Sequence, residues 1–100
     1  MEYRTKSSAS CFSVTLVGKV TFRSIDDLKS IVDQFIKEEA PDIEFDMRDV
    51  EMVDSSGLGQ FITAFDAAEA KGGKIVIKNA KGIVLSLLKT TKFDDLAVVE

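Results

Sequence analysis

The chain has 100 residues, 17 acidic and 13 basic, with no histidine and one cysteine, for a formal charge of −4. The length allows one domain with a real core, and the 45% hydrophobic fraction excludes a disordered chain. The acidic balance argues against nucleic-acid binding, which needs a basic face; the missing imidazole excludes a Ser-His-Asp triad, and one thiol without histidine leaves no zinc ligand set.

"EYRTK" alternates and reads as a first short strand, followed by turn chemistry in "SSAS", residues 7–10. "CFSVTLVG" places Phe12, Val14 and Leu16 on one face and Cys11, Thr15 and Val17 on the other. This is a period-two strand ending at Gly18, close enough to the first to form a hairpin. Cys11, unable to form an internal disulfide, is expected to be a small buried hydrophobe. Ser24 is placed to cap a helix with Asp26 and Asp27 in its first turn, and Ile25, Leu28, Ile31, Val32, Phe35 and Ile36 make an apolar stripe. That helix stops before Pro41.

"DIEFDM" alternates and reads as a strand with one buried face, with "RDVEMVDSSG" as its connection to a second helix. Leu58, Phe61, Ile62, Phe65 and Ala68 form the second stripe, ending at Lys71 before Gly72 and Gly73. "KIVIKN" is a strand, "KGIVLSLLKTTK" a helix with Ile83, Val84, Leu87 and Leu88 inward, and "FDDLAVVE" a closing strand. The order β-β-α-β-α-β-α-β predicts an α/β fold: a mixed sheet of four to five strands with three to four helices packed against it, as a single domain over 1–100. No apolar run approaches the ~18 residues of a membrane span, and "MEYRTK" leads into no apolar signal core, so a cytoplasmic protein without membrane insertion is expected.

The chemistry is concentrated in "VDSSGLGQ", residues 53–60. Asp54 or either serine could serve simply as a helix cap, worth ~1 kcal/mol. Capping explains less well why Asp54, Ser55 and Ser56 stand together, followed by the small Gly57, which would leave the turn reachable by another protein. A phosphate-binding G-x-G-x-x-G fails because Ile62 stands at its third glycine, and no G-K-[ST] follows. The nucleophile elbow G-x-S-x-G is absent as well, so nothing here supports an enzyme and no cofactor or metal is implied.

"DVEMVDSSGLGQFITAF" resembles the signature of STAS domains, in particular of bacterial anti-sigma factor antagonists. The alternating strand before it, Gly18 in the early strand, the Gly-rich turn before "KIVIKN" and the close "TKFDDLAVV" extend the resemblance over most of the chain. It implies a STAS-like mixed sheet and a protein-binding module switched by phosphorylation. The acceptor would be Ser55, directly after Asp54, with Ser56 as the alternative acceptor. The implied partners are an anti-sigma factor that is also a GHKL-type serine kinase, bound in the unphosphorylated form, and a PP2C-type phosphatase. Asp54, Ser55, Ser56, Gly57, Leu58, Gln60 and Thr21 would contribute to the partner surface, along with the polar face at Thr63 and Asp66. Thr21 departs from the pattern, because family members commonly carry an acid there. Similar modules also serve other outputs, such as biofilm formation or secretion, or act without phosphorylation as subunits of lipid-transport complexes. Phosphate on Ser55 would act by local charge and bulk with little change of shape, and Arg48 is the nearest arginine along the chain.

Overall fold

The computed structural model describes residues 1–100. Its elements are β1 (Glu2–Ser7), β2 (Cys11–Val20), α1 (Ile25–Lys37), β3 (Asp42–Val53), α2 (Ser55–Ala70), β4 (Ile75–Lys78), α3 (Gly82–Thr90) and β5 (Val98–Val99). Short 3₁₀ turns at Phe22–Ser24 and Phe93–Asp95 precede α1 and β5. The five strands lie in sheet order β1-β2-β3-β4-β5, with β1 antiparallel to β2 and every later pair parallel. Each parallel step therefore advances the same way along the sheet. Right-handed crossovers then lay all three helices on one face. The expected α/β architecture, hairpin and element order are all present.

The other face is open to solvent and polar. Arg4, Thr15, Asp46 and Lys78 pair across it in one row from β1 to β4. Lys78 reaches Glu44 at 3.4 Å. Cys11 lies on this face and is half-buried rather than buried; desolvation raises its thiol pKa, with Ser13 opposing. Burial alone would raise the Asp46 carboxyl, but bonds from the Asn79 side chain and the Arg48 amide outweigh it and hold the pKa low.

Two strands differ from the sequence expectation, for one physical reason. β2 runs on to Val20, and Gly18 lies inside it at φ +96°, a conformation that side chains disfavour. β3 continues through Arg48–Val53, which had read as a connection. Between Thr15/Val17 and Gly18/Lys19 the pairing shifts so that β3 spends an extra residue each time. These bulges break the alternation, leaving Arg48 and Asp49 both exposed while Val50 and Val53 are buried. The second half of β3 thus lost the period-two signature without losing the strand.

The core lies between sheet and helices. Phe12, Val14 and Leu16 of β2, Ile43, Phe45 and Met47 of β3 and Ile75 and Ile77 of β4 meet Leu28, Ile31 and Phe35 of α1. Phe45 meets Phe61 of α2 edge-on at 5.0 Å between centroids, a geometry worth about 0.5–1.5 kcal/mol beyond burial. In α2 the inward stripe is Gly57, Phe61, Ala64 and Ala68; Leu58 and Phe65 are only half-buried and Ile62 is exposed. The helix is rotated from the expected stripe because its small residues face the sheet and let it approach closely. Ile36 and Ile83 are likewise exposed rather than inward.

One contact ties the helices together beyond the core. The Lys71 ammonium, just past α2, donates to the carbonyls of Phe35, Glu38 and Ala40 at the end of α1 and sits 3.8 Å from the Phe35 ring centroid. It supplies a donor to the Glu38 and Ala40 carbonyls past the helix end and a second donor to Phe35, which also accepts the Glu38 amide. Burial pulls the ammonium below the usual lysine pKa, and Glu38 opposes.

Candidate functional site

The site forms where β3 ends and α2 begins. Asp54 is extended at φ −97° and ψ −178°, and its amide donates to the Val20 carbonyl at 3.0 Å, so the strand ladder carries up to the last residue before the helix. Its carboxylate then faces two amides. Oδ1 accepts from Gly57 N–H at 2.9 Å, capping α2. Oδ2 accepts from Phe22 N–H at 3.1 Å, holding the β2–α1 loop. Asp54 therefore joins two elements, with both carboxylate oxygens engaged by backbone amides.

The loop it holds is itself capped. Thr21, not Ser24, is the side-chain cap: its Oγ1 accepts from Arg23 N–H at 3.3 Å while its own amide donates to Ser24 Oγ at 3.2 Å. Ser24 is buried, and its hydroxyl donates to the Lys19 carbonyl at 3.2 Å. Thr21, where the resemblance calls for an acid, thus performs the capping that an acid could also perform. The rigid turn presents Phe22, 63% exposed, with the Arg23 guanidinium 5.7 Å from its ring centroid. Neither residue stood out in the sequence, since both lie in a stretch without period. The fold brings Phe22 and Arg23 to the edge of the site. Arg48, the arginine nearest along the chain, lies six strand residues before Asp54, roughly 15–20 Å away.

Ser55 is the first residue of α2 and is exposed; Ser56 is half-buried. The bonds that fix the turn run through Asp54 and use neither hydroxyl. Gly57 is buried: a Cβ there would lie 2.8 Å from Val20 Cγ1 and 2.9 Å from the Val20 carbonyl. It is a packing position against β2 rather than an open one. Gly59 is the open one, with nothing within 4 Å of a Cβ, and it follows Ser55 by one helical turn on the outer face. Leu58 is half-buried against the core, and Gln60 is half-buried with an Oε1 that finds no partner. Thr63 donates its hydroxyl back to the Gly59 carbonyl at 3.1 Å, whereas Asp66 is free and exposed.

Ser55 lines neither cleft of the molecule. The two shallow clefts of the molecule lie elsewhere, at Glu2, Tyr3, Arg4 and Val17 and at Arg48, Asn79, Ala80 and Lys81. No helix is long and apolar enough to cross a membrane.

The family model described as "STAS domain" matches residues 2–99. The chain belongs to the STAS family. No curated protein sequence matches this STAS domain. Among solved structures, a candidate anti-sigma factor antagonist from Thermotoga maritima superposes with a TM-score of 0.87 at 19% identity, covering 97% of this chain and 84% of that one. The anti-sigma factor antagonist SpoIIAA in its unphosphorylated form gives 0.80 at 15% identity, over 99% and 87%. A sulfate transporter family protein from Wolinella succinogenes gives 0.72 at 20% identity, over 90% and 75%. At these identities the likeness shows the α/β fold with its mixed five-stranded sheet.

Proposed function

We propose that this STAS domain is a phosphorylation-regulated binding module. With Ser55 free it binds a partner of the anti-sigma factor type that is also a GHKL-type serine kinase; phosphorylation of Ser55 releases that partner, and a PP2C-type phosphatase restores the binding form. The observation that carries this reading is the exposed Ser55 hydroxyl at the first position of α2, beside an Asp54 whose carboxylate is already engaged by two amides. The hydroxyl is reachable, and a helix N-terminus tolerates the −1.5 to −2 charges, approximately, that a phosphate adds. A docked partner would have to desolvate or pair that charge, at several kcal/mol if unpaired, where about 1.4 kcal/mol already changes affinity tenfold. SpoIIAA, a fold neighbour, has been solved in unphosphorylated and phosphorylated forms, which is consistent with this reading.

Incubation with a GHKL-type serine kinase of the same genome and ATP should place one phosphate on Ser55 by mass spectrometry, and Ser55→Ala should remove it. Full labelling of Ser55→Ala would move the acceptor to Ser56. A second reading draws on the transporter-family neighbour: a STAS subunit that binds its complex without phosphorylation. Stable co-purification with transporter components, together with no label from any kinase tested, would favour it.

A further inference from the structure

Resting on the reading of Ser55 as a phosphate acceptor, we infer that Asp54 is a positioning residue that couples the state of Ser55 to Phe22. The exposed aromatic on the neighbouring loop would then be part of what a partner reads. The argument starts from the carboxylate. Its two oxygens are committed in different directions, Oδ1 to the Gly57 amide of α2 and Oδ2 to the Phe22 amide of the β2–α1 loop. One rigid group makes both bonds, so any displacement that breaks one disturbs the other. A phosphate on Ser55 enters beside it as a second anion. It repels the carboxylate and competes for the same helix-end amides, which are the natural acceptor site for a phosphate. The carboxylate yields, and the Phe22 amide loses its acceptor.

The loop is built to make that loss visible. The Thr21–Ser24 capping box and the Ser24–Lys19 bond hold its base, so the change is confined to the turn that displays Phe22. Phe22 is 63% exposed although large and apolar, and aromatic residues, Phe among them, are enriched at protein interfaces. The modification therefore alters both the charge at Ser55 and the pose of an aromatic contact across the junction, whereas a charge effect alone would leave Phe22 untouched.

The test needs no partner. Amide hydrogen exchange by NMR is measured on the unmodified protein, on protein with phosphoserine incorporated at position 55, and on Asp54→Asn. Asparagine keeps one acceptor oxygen and remains a good N-cap, so Gly57 should stay protected. Its amide group then turns a donor toward Phe22, whose exchange should accelerate about tenfold, as expected for loss of a hydrogen bond to a charged group. The phosphoserine protein should show the same acceleration at Phe22. Unchanged Phe22 exchange in the phosphoserine protein overturns the coupling, whatever Asp54→Asn does. The coupling and the switch fail separately: Phe22 release with phosphoserine but no kinase that labels Ser55 would sink the switch and leave the coupling standing.

Discussion

Both ends of α2 are pinned to the α1 segment, by opposite charges. At its C-terminal end Lys71 donates to three carbonyls where α1 stops and lies on the Phe35 ring. At its N-terminal end Asp54 accepts from two amides, one of them in the loop that leads into α1. Each charge complements the backbone groups it meets, acid with amides and ammonium with carbonyls. The difference lies in what stands next to them. Lys71 is followed by Gly72, which turns the chain at φ +74°, and Gly73, which packs against the Pro41 backbone, whereas Asp54 is followed by an exposed hydroxyl. One clamp fixes the helix pair; the other sits where a covalent change can reach it.

Breaking the C-terminal clamp should have the largest effect on stability. Lys71→Met keeps the stem and removes the ammonium, leaving the Glu38 and Ala40 carbonyls without that donor while Phe35 keeps only the Glu38 amide. The expected loss is about 2–3 kcal/mol in chemical denaturation, the range for hydrogen bonds to a charged group plus partly unsatisfied acceptors. A loss below ~1 kcal/mol would mean that water replaces the ammonium with little cost, and the two ends would then be equally dispensable. The N-terminal end is sharpened by two glycines. Gly57→Ala drives a methyl against Val20 and should cost about 1–2 kcal/mol, overpacking less the gain in helix propensity. Gly59→Ala, in open space, should instead stabilise by about 0.5–1 kcal/mol. Equal effects at the two positions would show that α2 does not ride on Val20 as closely as described.

These contacts also mark what the sequence could carry. The alternation in "CFSVTLVG" and "DIEFDM" and the stripe of α1 reported true structure because those segments are regular. The second half of β3 was not legible, because bulges put Arg48 and Asp49 on the surface in succession. In α2 periodicity finds Phe61 and Ala68 but not the rest of the inward face, because size favours Leu58, Ile62 and Phe65 while the small Gly57 and Ala64 pack on the sheet. The helix start at Asp54 was readable as a cap. Its second bond, to an amide 32 residues earlier, was not, and neither was the grip of Lys71 on carbonyls 31 to 36 residues away. Local chemistry shows which groups need partners, but the fold decides which partners arrive. Thr21 illustrates this: it departs from the family pattern, yet it caps the loop that Asp54 holds.

The smallest expected effect on the fold is at the serine itself. Ser55 is exposed at the first helical position, where the bonds that fix the turn bypass its hydroxyl. Ser55→Ala should change stability by no more than ~0.5 kcal/mol, a melting shift within about 3 °C for a domain of this size. Thermal unfolding by circular dichroism checks this directly. A shift several times larger would make the hydroxyl part of the N-terminal clamp, and the contrast between a structural end and an addressable end of α2 would collapse. A negligible shift, combined with loss of the phosphate acceptor in the same variant, would separate the two properties: a hydroxyl the fold does not need, beside an aspartate the fold does.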